Sequence, residues 1–154
     1  MNPSYIVIPL VALIVALIGG NITSAGMYWY ETLTLPEIAP TGAIIGAVWT
    51  FIYITVTIAA LLVWNRFPRD DKFWQIIGLF VINAALNAAW TFVFFGINAL
   101  VTSIIIAVLL EVSVLLLLFK IRSVSRPTAL LLYPYAVWVA FAIYLTIVIS
   151  NFNL

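Results

Sequence analysis

The sequence predicts an all-α membrane protein, a bundle of five transmembrane helices. Of its 154 residues, 66% are hydrophobic and only 7% are charged, and the mean hydropathy is +1.26. A water-soluble domain of this size cannot bury so much apolar surface, so the bilayer is the expected solvent. Five apolar segments each reach the roughly 20 residues that a spanning helix needs. Backbone in lipid must satisfy its own hydrogen bonds, which favours helices over strands.

The five helices are predicted, in chain order, within a single domain of residues 1–154. The first apolar run has no basic residues before it and is long enough to span, so we expect a retained helix and not a cleaved signal peptide. The fifth contains Pro134, which either kinks that helix or marks its first turn. The only longer connection, loop 1, covers residues 26–42 or so. The predicted helices cover about 5–25, 43–64, 74–95, 99–119 and 128–150.

The basic residues predict the orientation of the bundle. All six fall into two loops, between the second and third helices and between the fourth and fifth. With five spans, these loops share a face with the N-terminus, and the positive-inside rule places that face in the cytoplasm. Loop 1 is then extracytoplasmic. The six residues are Arg66, Arg69, Lys72, Lys120, Arg122 and Arg126.

The composition excludes several kinds of site. The chain has no cysteine and no histidine, which removes thiolate metal sites, disulfides, a Ser-His-Asp triad and an HExxH zinc site. The net charge of +1 is too small to indicate nucleic-acid binding. We therefore expect no metal and no required cofactor.

The third helix carries a polar and aromatic stripe. Asn83, Asn87, Trp90 and Phe94 fall on one narrow face at about 100° per residue. Facing lipid, each amide would cost on the order of a kcal/mol or more, so the stripe should face the bundle interior. The amides would then either bond neighbouring helices or act as polar handles in a cavity.

Aromatic residues on two other helices are placed to join this stripe. Trp49 and Tyr53 lie one turn apart on the second helix, and Trp138 shares a face with Ala142 on the fifth. These rings either pack as core or line a pocket. Three indoles with few charges suit a flat, mostly apolar ligand.

Glu111 is the only ionisable residue well inside a predicted span. It lies nine residues before Lys120, or roughly 13 Å along the axis, which is near the bilayer midplane. Two interpretations are open: Glu111 takes part in proton coupling or ligand contact, or it is a protonated side chain bonded to a neighbouring helix. Separately, Ala85 and Ala89 form a small-xxx-small pair that predicts close helix approach, within the chain or across a homodimer.

Four motifs together resemble the TspO/MBR family of translocator and tryptophan-rich sensory proteins. They are "WYETL" (29–33) followed by Pro36 and Pro40, "VWTFIY" (48–53), "NAAWTFVFFG" (87–96) and "LLLYPYAVWVAFA" (130–142). The resemblance runs over nearly the whole chain. Leu35 departs from the family pattern, since a basic residue commonly stands there before Pro36. The sterol-contact pattern is also missing.

The resemblance implies a five-helix membrane bundle, often a homodimer, with a ligand cavity covered by loop 1. Family members bind porphyrins such as protoporphyrin IX, so a porphyrin (protoporphyrin IX or heme) is the expected ligand in a prokaryotic cell membrane. The resemblance assigns no role to Glu111. Carried over position by position, the cavity would be lined by Tyr30, Pro40, Trp49, Tyr53, Asn83, Asn87, Trp90, Trp138 and Ala142.

Three functions are compatible with these observations. The first is a membrane receptor or carrier that binds porphyrins or similar planar hydrophobic molecules in an aromatic cavity. The second is light-dependent porphyrin breakdown in the same pocket, beside the oxidisable Trp49 and Trp138. The third is a small proton-coupled exporter using Glu111, which five helices without an internal repeat fit poorly.

Overall fold

The computed structural model describes residues 2–154, and within that range the secondary structure is helical, with no strands. Five stretches are long and apolar enough to cross a membrane, the last of them composed of two consecutive helices. The predicted all-α fold with five spanning helices is therefore confirmed. The helices are α1 (Ser4–Thr32), α2 (Gly42–Arg66), α3 (Asp71–Thr91), α4 (Leu100–Arg122), α5 (Arg126–Leu130) and α6 (Tyr133–Asn153).

Helix α1 continues seven residues beyond its predicted end at residue 25, so loop 1 is reduced to residues 33–41. Gly26 does not break the helix, because it is the point where another backbone comes close. A Cβ built on Gly26 would lie 2.3 Å from the carbonyl oxygen of Phe95. One turn later, Tyr30 is buried and its ring lies 6.3 Å from that of Phe94. These tertiary contacts extend the helix through a segment whose sequence reads as loop.

Helix α3 ends in a π-helical turn, Phe92–Gly96. This wider turn buries two consecutive residues, Phe94 and Phe95, whereas neighbours in an ordinary α-helix point about 100° apart. The chain then reverses through Asn98, whose φ of 59° lies in the left-handed region. Asparagine is one of the few residues other than glycine that adopts this region readily.

The fifth span is two helices and not one. Helix α5 begins at the N-cap residue Ser125, whose hydroxyl accepts a hydrogen bond from the Thr128 amide, and it ends at Leu130. Helix α6 begins at Tyr133, with Pro134 in its first turn. Of the two predicted roles for Pro134, the structure shows the second, because a proline there loses no intrahelical hydrogen bond.

Hydrogen bonds define the two ends of the bundle. At one end the Ser4 hydroxyl contacts Asn65 at 2.9 Å, and Lys72 donates to Ser123 at 2.9 Å, which joins the two basic loops. The N-terminus and the basic loops thus share one end, as the orientation prediction requires. At the other end, Asn153 bonds the backbone of Thr34 in both directions. Which end faces the cytoplasm stays a prediction.

Packing is dense around α4 and sparse around α1. Helix α4 lies between α3 and α6 and buries nine of its 23 residues. Helix α1 buries only Ser4, Gly26 and Tyr30 among its 29 residues. On the outer side of α3, Ala85 is exposed and Ala89 is half-buried, so the homodimer contact predicted there stays a prediction.

Candidate ligand-binding site

Aromatic rings from α2, α3 and α6 converge in the half of the bundle nearest loop 1. The Trp49 and Trp90 rings lie 6.0 Å apart, and Trp49 also meets Tyr135 edge to face at 6.0 Å. Trp90 stacks on Phe94 at 5.5 Å with the ring planes 16° apart. Such pairs contribute about 0.5–1.5 kcal/mol each beyond the area they bury. The rings therefore form a cohesive cluster.

At the centre of this cluster is a small void, which we call the aromatic hollow. Its volume is about 30 Å³, enough for roughly one water molecule. Six of the nine predicted site residues line it: Tyr30, Pro40, Trp49, Trp90, Trp138 and Ala142. The structure thus brings these residues together, but their own side chains fill most of the space between them.

Loop 1 closes the end of the aromatic hollow. The Tyr30 hydroxyl donates to the carbonyl of Pro40 at 3.2 Å, which ties the end of α1 to the end of the loop. Pro40 also lines the hollow. The contacts between Thr34 and Asn153 hold the start of the loop against α6. Loop 1 therefore lies against the aromatic cluster, and its role as a cover over a ligand stays a prediction.

The large spaces lie beside α1, which the sequence did not indicate. A groove of about 960 Å³, the α1–α2 groove, separates α1 from α2, and a second space of about 430 Å³ is bounded by α1, α2 and α3. Trp49 and Tyr53 line both. Leu13 and Leu17, on the α1 wall of the groove, are more than half exposed. The groove is therefore open along the side of the bundle, where acyl chains surround it in a membrane.

The two asparagines on α3 belong to a buried hydrogen-bond chain, the polar chain. Tyr53 donates to Asn87 Oδ1 at 2.8 Å, and Asn87 Nδ2 donates to the Tyr135 hydroxyl at 3.3 Å. Tyr135 in turn donates to Asn83 Oδ1 at 3.0 Å. Asn83 Nδ2 donates to Ser113 Oγ at 2.8 Å. The polar chain therefore links α2, α3, α6 and α4 through the core.

This arrangement explains why a membrane helix keeps two amides one turn apart. Asn83 and Asn87 are each about 4% exposed, and both ends of each amide already have a partner. Buried amides without partners would cost on the order of 1–3 kcal/mol each. Both asparagines also line the 430 Å³ space, so they join the helices and form part of a cavity wall.

Sequence reasoning missed two members of the polar chain, Tyr135 and Ser113. Tyr135 lies in the apolar segment after Pro134 and is 3% exposed; a tyrosine buried there needs a partner for its hydroxyl, which was an available signal. Ser113 gave no such signal, because a serine in a membrane helix can satisfy its hydroxyl on its own backbone. It does so here with Leu110 at 2.6 Å.

Two buried polar atoms have no hydrogen-bond partner among residues 2–154: Nε1 of Trp90 and Oε2 of Glu111. Trp90 is in the aromatic cluster, whereas Glu111 is half-buried at the border of the packed face of α4. Neither atom is part of the polar chain. The described residues contain no group of three acidic, histidine or cysteine side chains that could hold a metal ion.

Comparison with known proteins identifies the family. Residues 6–151 match the TspO/MBR family. The chain is 32% identical to the tryptophan-rich protein TspO of Chlorobaculum tepidum, over 92% of this chain and 90% of that protein. It is 30% identical to the protein of the same name from Bacillus cereus, over 81% and 80%. It is 31% identical to the translocator protein of Ovis aries, over 79% and 72%.

The match covers nearly all of the structure described above. It begins two residues into α1 and ends in the last turn of α6, so it includes loop 1, the aromatic cluster and the polar chain. The bacterial relatives also support the predicted prokaryotic location. The chain is an integral, multi-pass membrane protein and belongs to the TspO/MBR family.

Proposed function

We propose that this protein is a membrane receptor or carrier for porphyrins or similar planar hydrophobic molecules, and that the ligand lies in the α1–α2 groove. The observation that carries the proposal is the position of Trp49 and Tyr53. They line the groove and also contact the aromatic cluster and the polar chain. A ligand there meets an indole face and a phenol at the same wall.

Volume favours the groove over the aromatic hollow. Ligand pockets generally measure about 300–1,000 Å³. The groove, at about 960 Å³, falls within that range, whereas the hollow, at about 30 Å³, is far below it. For the hollow to receive a ligand, the rings of Trp49, Trp90 and Phe94 would have to separate, which would cost their mutual contacts.

The character of the groove fits an apolar, flat ligand. Its walls include small residues, among them Ala12, Ala16, Gly20 and Gly46, that leave room between the two helices. The polar side-chain groups of its lining residues are hydroxyls and the indole N–H of Trp49, and none of them is charged. Such a surface binds mainly by apolar contact and by stacking on Trp49, with a few hydrogen bonds to orient the ligand.

A glycine on the groove wall offers a direct test. A Cβ at Gly46 would meet no atom within 4 Å, so Gly46→Phe fills the groove without disturbing the backbone. We expect it to weaken protoporphyrin IX binding at least tenfold, as measured by quenching of tryptophan fluorescence in purified protein. Gly78→Phe is the matched control, because Gly78 also has no atom within 4 Å of its added Cβ and lines none of these spaces.

The two variants separate specific binding from partition into detergent or lipid. Equal affinities for Gly46→Phe, Gly78→Phe and the unsubstituted protein would contradict the groove as the binding site. A wild-type titration without saturation would contradict porphyrin binding altogether. Circular dichroism and size-exclusion chromatography of both variants check that the fold is unchanged.

A further inference from the structure

The hydroxyls on the α2 and α3 side of the groove share one property. Thr50 donates to the carbonyl of Gly46 at 2.8 Å, and Thr57 donates to that of Tyr53 at 2.6 Å. Thr91 donates to the carbonyl of Asn87 at 3.0 Å. All three residues line the groove. Because each proton is already used within its own helix, each oxygen is left to the groove as a hydrogen-bond acceptor.

Tyr53 has the same property for a different reason. Its proton goes to Asn87 Oδ1, into the core. Its oxygen faces α1 closely enough that a Cβ added to Gly19 would lie 3.5 Å from it. The phenol therefore presents only lone pairs to the groove, as long as the direction of the bond to Asn87 is fixed.

The far end of the polar chain fixes that direction. The Ser113 hydroxyl donates to the backbone carbonyl of Leu110 at 2.6 Å, and a carbonyl can only accept. Ser113 Oγ must then accept from Asn83 Nδ2, which leaves Asn83 Oδ1 to accept from Tyr135. The same alternation continues through Asn87 to Tyr53. As long as Ser113 donates to Leu110, reversing any single member would place two donors or two acceptors against each other in a buried site.

We propose that the α2 and α3 side of the α1–α2 groove favours ligands that carry N–H or O–H donors, and that Ser113, a positioning residue that does not touch the ligand, holds Tyr53 as one of the acceptors. The inference rests on the proposed function, since it concerns the same groove. Four acceptor oxygens, on Thr50, Tyr53, Thr57 and Thr91, line the wall that a flat ligand would face. In a water-poor groove, a donor placed against these four oxygens gains a hydrogen bond, whereas an acceptor placed against them finds no proton. The hydroxyls of Thr23 and Ser24 and the indole N–H of Trp49, which also belong to the groove lining, are not part of this set.

Two neutral derivatives of one ring test the preference. Both keep the two inner pyrrole N–H groups of the ring and differ only at the side chains, where the bis-primary amide of protoporphyrin IX carries N–H donors and the dimethyl ester carries acceptors only. We expect the amide to bind at least tenfold more tightly than the ester in fluorescence-quenching titrations of the purified protein. Equal affinities, or tighter binding of the ester, would overturn the inference and leave the proposed function standing. If neither derivative bound while protoporphyrin IX did, the inference alone would fail; if protoporphyrin IX did not bind either, the proposed function would fail with it.

Substitution of Ser113 tests whether this residue affects the ligand preference without touching the ligand. In Ser113→Ala, neither direction of the polar chain satisfies every group, so Tyr53 is no longer held as an acceptor. We expect the ratio of amide affinity to ester affinity to fall at least threefold, because the Tyr53 oxygen alone among the four acceptors depends on Ser113. Ser113→Thr keeps the hydroxyl and should keep the preference. An unchanged tenfold preference in a folded Ser113→Ala protein would contradict the role of Ser113.

A second variant covers the case in which Ser113→Ala does not fold. Tyr53→Phe removes the acceptor itself while keeping the ring that lines the groove. We expect it to lower the ratio of amide affinity to ester affinity at least fivefold, whatever its effect on the two affinities taken singly. Equal losses for both derivatives would show that Tyr53 contributes only shape, and would overturn the inference.

Discussion

Helices α1 and α4 are similar in hydropathy but opposite in packing. Helix α4 is surrounded by α3, α5 and α6, and nine of its residues are buried along the whole of its length. The buried attachments of helix α1 lie at two places: at Ser4, which bonds Asn65, and at Gly26 and Tyr30, which pack on the π turn. The comparison shows that hydropathy identifies a spanning helix and says little about how tightly it is packed.

The middle of α1 explains the difference. Around Ala12, Ala16, Gly19 and Gly20, the side chains that face α2 are too small to reach it. An added Cβ at Gly20 meets nothing within 4 Å, and one at Gly19 meets only the Tyr53 hydroxyl. In many membrane proteins such residues allow close helix contact. Here they leave the groove open.

The largest expected effect is at the attachment of α1 near loop 1. In Gly26→Leu, the new side chain would start 2.3 Å from the backbone oxygen of Phe95, which cannot move aside cheaply. We expect a loss of unfolding free energy at the upper end of the roughly 1–3 kcal/mol typical of overpacking, measured by denaturation in detergent. Gly20→Leu is the control and should change stability little. Equal losses would contradict the two-point attachment of α1.

The next largest loss of stability is expected when the polar chain is broken. Asn87→Leu removes the partner of both Tyr53 and Tyr135. We expect a loss of roughly 1–3 kcal/mol, because two buried hydroxyl contacts are lost. Asn21→Leu is the matched control, since Asn21 is exposed and bonds only the carbonyl of Leu17 on its own helix. A similar loss in both variants would mean that the polar chain adds nothing to stability beyond a local contact.

The smallest effect distinguishes the two candidate locations of the ligand. Trp138 lines the aromatic hollow and neither of the larger spaces. If the ligand lies in the α1–α2 groove, Trp138→Phe should change protoporphyrin IX affinity by less than twofold. A tenfold loss, about 1.4 kcal/mol, would instead place the ligand in the hollow, as the sequence predicted. Trp49→Phe should weaken binding under either arrangement, and so serves as the positive control.

Much of this structure follows from the sequence, and the exceptions have physical causes. The inward direction of Asn83 and Asn87 followed from the cost of exposing an amide to lipid, and helical spacing correctly placed Trp49 near Trp90. The volume between the rings could not be predicted, because spacing along a helix does not give the distance between helices. The α1–α2 groove was missed for the same reason.

Other differences come from contacts distant in sequence. The extension of α1 to Thr32 depends on Gly26 meeting Phe95, about seventy residues later in the chain. The break between α5 and α6 was visible as Pro134, but the sequence did not decide between a kink and a new start. No local pattern marked Ser113 as the end of the polar chain, since its hydroxyl is satisfied locally as well.

The π turn at Phe92–Gly96 has one consequence for how this protein tolerates change. By widening a single turn, it accommodates one more residue than an α-helix would and turns Phe94 and Phe95 inward together. Deleting a residue from this segment would restore regular helical winding and rotate one of the two rings out of its place beside Tyr30. The length of this short segment, more than its composition, therefore determines whether the first helix stays docked.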